Sequence, residues 1–567
     1  MDAMISDPKF IGHAVATEWN GITVLVDNTV NTETIRVGSY AIVHGRTGDF
    51  LCMVADVRST LDRTLLRGPI LERTVAQLTK AGGLVSEMKL KSYLFREHGA
   101  DIFGPVSSVP AHLRKVDRTD QDTIDGVFAA DGVKTLAVGT MIDMPDVWIN
   151  LDLPKLAARS ACVVGASGTG KSFLARIILA GMIHQKVAAN LIFDMHNEYG
   201  WESENEQRTR VKGLKQLFPD GRVSVFSLDP ESAQRRQAKV DFFVRIGYDK
   251  IEPEDIEALQ ISLGLSDVMV GAVYALASRL DKQTWLRDFL NDDYVDNYGL
   301  PSKVSMMTKS VSSMLSGEVG MKALATDTGQ PLGTLQALRR RLREFKTYEF
   351  LVDKADDDVT GRIMRYLDAG NSVVLEFGRY GNDLSAYIFV ANFLTRRIHE
   401  QYVKRMESSF GSHADKPTPL IITIEEAHKF LDPAIAESTI FGTIAREMRK
   451  YNVTLFVIDQ MPSQIDKDVM AQIQTRFAYR MTNEDDIRAI FSGVEQPDGL
   501  RAVLSRLETI QDVLMFGHAL PLPVAVRTRT YGVDFYKAMG YVDDSELGAV
   551  KAANMRKMRG DPSEGFD

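Results

Sequence analysis

Short runs in which apolar and polar residues alternate open the chain. Residues 13–19 (HAVATEW), 22–27 (ITVLVD), 40–45 (YAIVHG) and 50–57 (FLCMVADV) follow this pattern, separated by Asn, Gly and Thr-Gly turn signals. Alternation at period two buries one face of a strand, so these runs predict a small β-barrel over 1–110. Gly104, Pro105 and Pro110 mark a loop-rich exit, and 111–152 reads as a junction with a short β-like lead-in. From Ala161 the period changes to strand, Gly-rich turn and helix, with further strands at 191–194 (LIFD) and 223–228 (VSVFSL). Strand signals then give way to amphipathic helices, 253–263, 270–280 and 334–345 among them. The alternation resumes at 372–377, followed by a long helix over 384–406 and strands at 420–424, 453–458, 476–481 and 513–517. This order predicts an α/β core of one parallel sheet covered by helices, built from 153–245 and 355–535. A helical insertion of 246–354 interrupts it, and a C-terminal helix and tail occupy 536–567.

A chain of 567 residues is long enough for several domains, and 44% hydrophobic with 25% charged residues is the balance of a globular protein with large cores. The net charge of −9 excludes an outer surface that grips nucleic acid everywhere, and leaves room for positive charge on one inner surface. The first ten residues have neither the basic leader nor the apolar core of a signal peptide, and no long uncharged apolar run follows. A cytoplasmic protein without a membrane anchor is expected. Cys52 and Cys162 have no partner at disulfide or zinc spacing and read as small core residues.

The strongest chemical signal is GASGTGKS: Gly165, Ala166, Ser167, Gly168, Thr169, Gly170, Lys171 and Ser172, with Phe173 next in the helix. It satisfies the P-loop pattern between an apolar strand and a helix. Glycines let backbone amides curl around phosphates, and the helix N-terminus adds partial positive charge. Lys171 reaches the β- and γ-phosphates, and Ser172 ligates magnesium. The segment 419–430 (PLIITIEEAHKF) supplies the second acidic element, an apolar strand followed by Glu425 and Glu426. Glu425 is expected to hold magnesium through water and Glu426 to polarise the attacking water. The plain alternative is a pair of carboxylates opening a solvent-facing helix.

Gln460, after the strand VTLFVID, is placed to sense the γ-phosphate, unless its amide only bonds local backbone. Asp194 closes LIFD at the expected nucleotide edge and, with Glu198, is placed to orient water or magnesium, against the alternative of loop capping. Arg446, Arg449 and Lys450 end a helix from which arginines can reach a neighbouring subunit's γ-phosphate, or simply complement their own helix dipole. Arg527 is a second arginine candidate at the nucleotide, sharing a strand face with Arg529. The run 337–346 reads as an amphipathic helix with a solvated basic side, in preference to a DNA patch. Arg208, Arg210 and Lys212 are candidate channel contacts.

Taken with its barrel strands and with FDMHNEYGW, TIEEAHKFL, IAREMRKYNVTLFVIDQMPSQID and QTRFAYRMTNEDD in that order, the chain resembles a HerA-type ATPase of the HerA and FtsK superfamily. The resemblance covers nearly the whole chain. It implies a RecA-like P-loop core with an N-terminal β-barrel and a helical insertion, binding ATP and Mg2+. It further implies a homohexameric ring that moves double-stranded DNA beside a NurA-like nuclease or an antiphage-defence effector such as a sirtuin-like enzyme. On that pattern Lys171, Ser172, Glu425, Glu426 and Gln460 take the nucleotide roles, and Arg446 or Arg449 the trans-acting one. An ATP-gated scaffold that assembles and regulates an effector without translocation is the competing expectation. The chain departs from the family pattern at Met448, Asn452 and Met461.

Overall fold

The computed structural model describes residues 9–19, 21–61, 84–129, 134–204, 209–299, 309–412, 416–495, 497–508 and 510–541. The chain forms two compact units, one of Met1–Ala175, Glu426–His428 and Phe456–Arg529, the other of Arg176–Glu425, Lys429–Leu455 and Thr530–Asp567.

In the first unit, six strands close a barrel. Phe10–Glu18 lies between Gly21–Val26 and Arg114–Arg118, the latter pairs with Tyr40–His44, and Gly48–Leu61 and Leu84–Glu97 follow. Leu84–Glu97 pairs back onto Gly21–Val26, so the sheet has no open edge there. Ala14, Val24, Val43, Cys52, Met88 and Val116 fill the interior. The stretch 111–152, expected to be a junction, instead supplies strands to two sheets. Arg114–Arg118 completes the barrel, and it hides in the sequence because one buried residue, Val116, stands among four charged ones. Thr135–Met141 and Met144–Asp152 form a hairpin whose first strand pairs with Val524–Thr528.

That hairpin ends a second sheet, in which Ala161–Val164 runs parallel to both Val453–Asp459 and Thr475–Tyr479. The alternation of elements predicts a parallel sheet throughout; beyond Thr475–Tyr479 the structure departs from it. Asp512–Gly517 pairs antiparallel with Thr475–Tyr479. Val524–Thr528 pairs antiparallel with Asp512–Gly517, because the link between these two is too short for the crossover that a parallel pair needs. Cys52 and Cys162 are buried free thiols, pushed up to about 12 by burial.

The second unit carries five parallel strands in the order Phe242–Phe243, Val223–Ser227, Ser372–Glu376, Ala189–Asp194 and Leu420–Glu425. The longer four are buried along their whole length, as a sheet covered on both faces requires. Between Ile246–Gly247 and Leu351–Val352, which pair as a short parallel clasp, the described residues form helices and connecting turns with no strand among them. Trp285 is buried there, its indole N–H donating to Ile251 O at 3.0 Å. On Leu332–Leu342 the leucines 335, 338 and 342 face inward and Arg340 and Arg341 face solvent, as expected of an amphipathic helix. Arg339 departs from the expected solvated basic side: it is buried, its guanidinium donating to Phe289 O at 2.9 Å. Val533–Ala538 is the last described helix, and the tail from 542 onward lies outside the described residues. Among the described residues no helix is long and apolar enough to cross a membrane.

Candidate active site

The buried strand Ala161–Val164 delivers the chain into the Gly-rich loop, and the helix Lys171–His184 leaves it. Gly165, Gly168 and Gly170 have φ of 150°, 75° and 105°, conformations that side-chain-bearing residues rarely adopt. A Cβ on Gly165 would lie 2.5 Å from Tyr479 Cβ, so the loop needs glycine for space as well as for backbone freedom. Tyr479 closes the far side, its hydroxyl donating to Gly170 O at 3.3 Å, while Gln511 N–H donates to Thr169 O. Thr169 Oγ1 and Lys171 Nζ both donate to Ala166 O, at 2.9 and 2.8 Å, which curls the loop over itself and draws the Lys171 ammonium into a buried position. Ala166, Ser167 and Gly168 form an exposed tip; Ser172 and Phe173 are half-buried in the first helical turn. The whole is a cationic cradle for phosphate at a helix N-terminus.

Glu426 belongs to the same unit. It follows the strand Leu420–Glu425 and takes the left-handed conformation, φ 48°, which is uncommon for a residue with a long side chain. Its carboxylate Oε1 accepts from Gln460 Nε2 at 3.2 Å, so the two residues expected to handle the attacking water and the γ-phosphate are brought together. His428 and Asp459, which did not stand out in the sequence, join them. The ring Nδ1 of His428 lies 3.0 Å from Asp459 Oδ2 and 3.7 Å from Glu426 Oε2. The available signal was a histidine two positions after the second acid and an aspartate ending the strand before Gln460.

In the second unit, Glu425 is buried at its strand end. Oε1 accepts from the Tyr199 hydroxyl at 3.0 Å, and Oε2 has no hydrogen-bond partner among the described residues. Burial, and then the nearby carboxylate of Asp194, push its proton affinity well above the usual carboxylate range. Asp194 takes the capping arrangement, the alternative its sequence position also allowed. Its oxygens accept from the backbone amides of Glu198, Tyr199 and Gly200, at 2.7, 2.8 and 3.2 Å, so it caps the following loop. Burial and Glu376 raise Asp194 to about 7 against that capping. Glu198 lies 3.4 Å from the Arg176 guanidinium.

These raised carboxylates fix a sign for the pH dependence. The folded chain keeps the protons of Glu425 and Asp194 above the values of 4.5 and 3.8 at which free side chains lose them, so stability falls as pH rises through that window. With neither metal nor nucleotide present, Glu425→Gln should lose less melting temperature between about pH 5 and pH 8 than the natural chain. Equal slopes would show that Glu425 is ionised throughout.

Arg446 is exposed on the last turn of Ile440–Glu447, and the side chain of Arg449 lies outside the described residues. Lys450 is exposed, 5.0 Å from the Tyr451 ring. Arg527, a candidate for the nucleotide, is paired with acids of its own unit. Its guanidinium donates to Asp512 at 2.9 Å and to Glu508 at 3.0 Å, partners 15 and 19 positions earlier in the chain. Arg529 donates to Ala137 O and lies 5.7 Å from the Trp148 ring. Arg210 pairs with Glu202, Lys212 lies over Tyr541, and Arg208 lies outside the described residues.

A glycine cradle around a buried lysine, a parallel strand on either side of the strand that leads into it and a glutamate bonded to the Gln460 amide define a P-loop nucleotide-binding protein of the α/β class. Residues 136–398 match the family model for the central domain of helicase HerA. The DNA double-strand break repair helicase HerA of Pyrococcus furiosus is 23% identical over 431 residues, 72% of each chain. That of Saccharolobus solfataricus is 21% identical over 426 residues, 75% of this chain and 73% of the other. MJECL08 of Methanocaldococcus jannaschii, described as a probable helicase, is 20% identical over 551 residues, 93% of this chain and 97% of the other.

Proposed function

We propose that this chain is the ATPase subunit of a homohexameric ring that moves along double-stranded DNA. The observation that carries the reading is the bond from Gln460 to Glu426, in the same compact unit as the Lys171 cradle. In hydrolysis a water oxygen bonds to the γ-phosphorus, and Glu426 takes the water's proton. The bond to the bridging oxygen breaks and ADP leaves with its electron pair. Lys171 and the loop amides hold the charge that builds on the phosphate oxygens.

Magnesium fits the donors of this chain. Ser172 offers a hydroxyl, a hard ligand that would hold the ion. Glu425, in the other compact unit, keeps a buried oxygen with no hydrogen-bond partner among the described residues. Bound at Ser172, magnesium would neutralise the β- and γ-phosphate charge.

Arg446 or Arg449 is assigned to the neighbouring subunit's γ-phosphate, in keeping with the exposure of Arg446 on its helix end. The DNA and its repair setting come from the names of the relatives, and a nuclease or defence effector belongs to the same reading. Double-stranded DNA at low salt should raise ATP turnover several-fold, and added salt should remove the increase as phosphate contacts are screened. A robust basal rate indifferent to DNA at every salt concentration would leave the scaffold alternative as the better account.

A further inference from the structure

Asp459 ends the strand Val453–Asp459 and is buried, yet its polar atoms reach three segments that carry the proposed chemistry. Its main-chain oxygen accepts from Gly165 N–H at 3.3 Å, at the mouth of the Gly-rich loop. Its carboxylate Oδ2 accepts from His428 N–H at 2.7 Å and lies 3.0 Å from the His428 ring Nδ1. Oδ1 accepts from Met461 N–H at 2.6 Å, in the residue after Gln460. Three donors thus converge on two oxygens of one side chain. A carboxylate can accept all three, whereas an amide in its place turns an NH2 toward one of them.

Glu426 sits inside this arrangement. Two positions before His428 its backbone is left-handed, a conformation that persists only when the surroundings hold it. Its carboxylate faces the His428 ring on one side and receives the amide of Gln460, the residue next to Asp459, on the other. The groups that approach Glu426 from both directions are therefore fixed by the same buried aspartate.

We propose that Asp459 is a positioning residue for hydrolysis. By clamping the His428 turn and the Gln460 loop together, it holds the Glu426 carboxylate where that group takes the proton of the attacking water, and it touches no reacting atom itself. This rests on the ATPase reading given above. It explains why an acid stands at the end of a strand whose other residues are apolar or β-branched: the role needs two acceptor oxygens, which neither a hydroxyl nor an amide supplies.

The test uses the full chain, with steady-state ATP turnover and binding of a fluorescent ADP analogue as readouts. Asp459→Asn should lower kcat about a hundredfold, the scale expected for misplacing a catalytic group, and leave the ADP-analogue Kd within about threefold. The double variant Asp459→Asn with Glu426→Gln should turn over no more slowly than Glu426→Gln alone, since no base is left to position. Losses that multiply in the double variant would make Asp459 an independent structural element and overturn the proposal, as would an undiminished kcat in Asp459→Asn. Should Asp459→Asn fail to fold, His428→Ala removes the clamped ring while keeping the buried acid. It is expected to show the same loss and the same non-additivity, and a natural kcat there also overturns the proposal. Failure of the ATPase reading looks different: Glu426→Gln itself would then keep the natural turnover.

Discussion

Glu426→Gln lowers ATP turnover by about 10² to 10⁴-fold, the contribution expected of a general base in the transition state. The substitution keeps the side-chain length and leaves an acceptor for the Gln460 amide that now reaches Glu426 at 3.2 Å. What it removes is the second carboxylate oxygen and the capacity to take a proton. Nucleotide binding depends on the loop around Lys171, so the Kd for ATP should stay within about twofold, and the variant should accumulate in the ATP-bound form. Phosphate release measured at saturating ATP, with equilibrium binding alongside, separates the two quantities. A variant that binds poorly and turns over at the natural rate per bound nucleotide would remove Glu426 from the chemistry.

The second large effect is on binding. Lys171→Ala deletes an ammonium that is buried and bent onto Ala166 O at 2.8 Å. On the proposed reading that ammonium leaves the carbonyl for the β- and γ-phosphates, exchanging a neutral acceptor for a charged one. A hydrogen bond to a charged group contributes about 1.5–3 kcal/mol, so removing this one bond weakens ATP binding by roughly ten- to a hundredfold. AMP has only the α-phosphate and should bind the variant nearly as well as the natural chain. Titration of the variant with ATP, ADP and AMP checks this. An equal weakening for all three nucleotides would mean that the variant damages the loop fold and that Lys171 makes no specific bond to the β- and γ-phosphates.

The two variants probe the parts of the site that were most legible in the sequence, and the reason is physical. The Gly-rich loop is a local device whose glycines, lysine and serine must stand at fixed spacing, so spacing alone reveals it. Glu425 and Glu426 are legible because an apolar strand precedes them. The His428 and Asp459 pair is not, since its members are 31 positions apart and meet only when two strand ends are brought together. Asp194 stands at the right edge of a buried strand, and nothing in its neighbours announces that three backbone amides of the next loop will occupy its oxygens. Arg527 carries the charge a nucleotide would want, but Asp512 and Glu508 neutralise it within the same unit.

The fold shows the same division. The core strands are legible as apolar runs because both faces of their sheet are covered. Arg114–Arg118 is a barrel strand that reads as polar, and only its pairing between two neighbours makes it one. The direction of Val524–Thr528 is likewise a matter of connection length, which apolar patterning does not record.

The joint action of the Lys171 cradle and the Glu426 carboxylate is proposed to break the terminal phosphate bond of ATP. It is tested most directly by phosphate release from the full-length protein with ATP, in magnesium and in excess chelator, with Glu426→Gln as the control. The expected result is sustained release in magnesium that falls to the background in chelator and in the variant. Release from the variant at the natural rate, or none from a well-folded natural chain in magnesium with double-stranded DNA present, would contradict it.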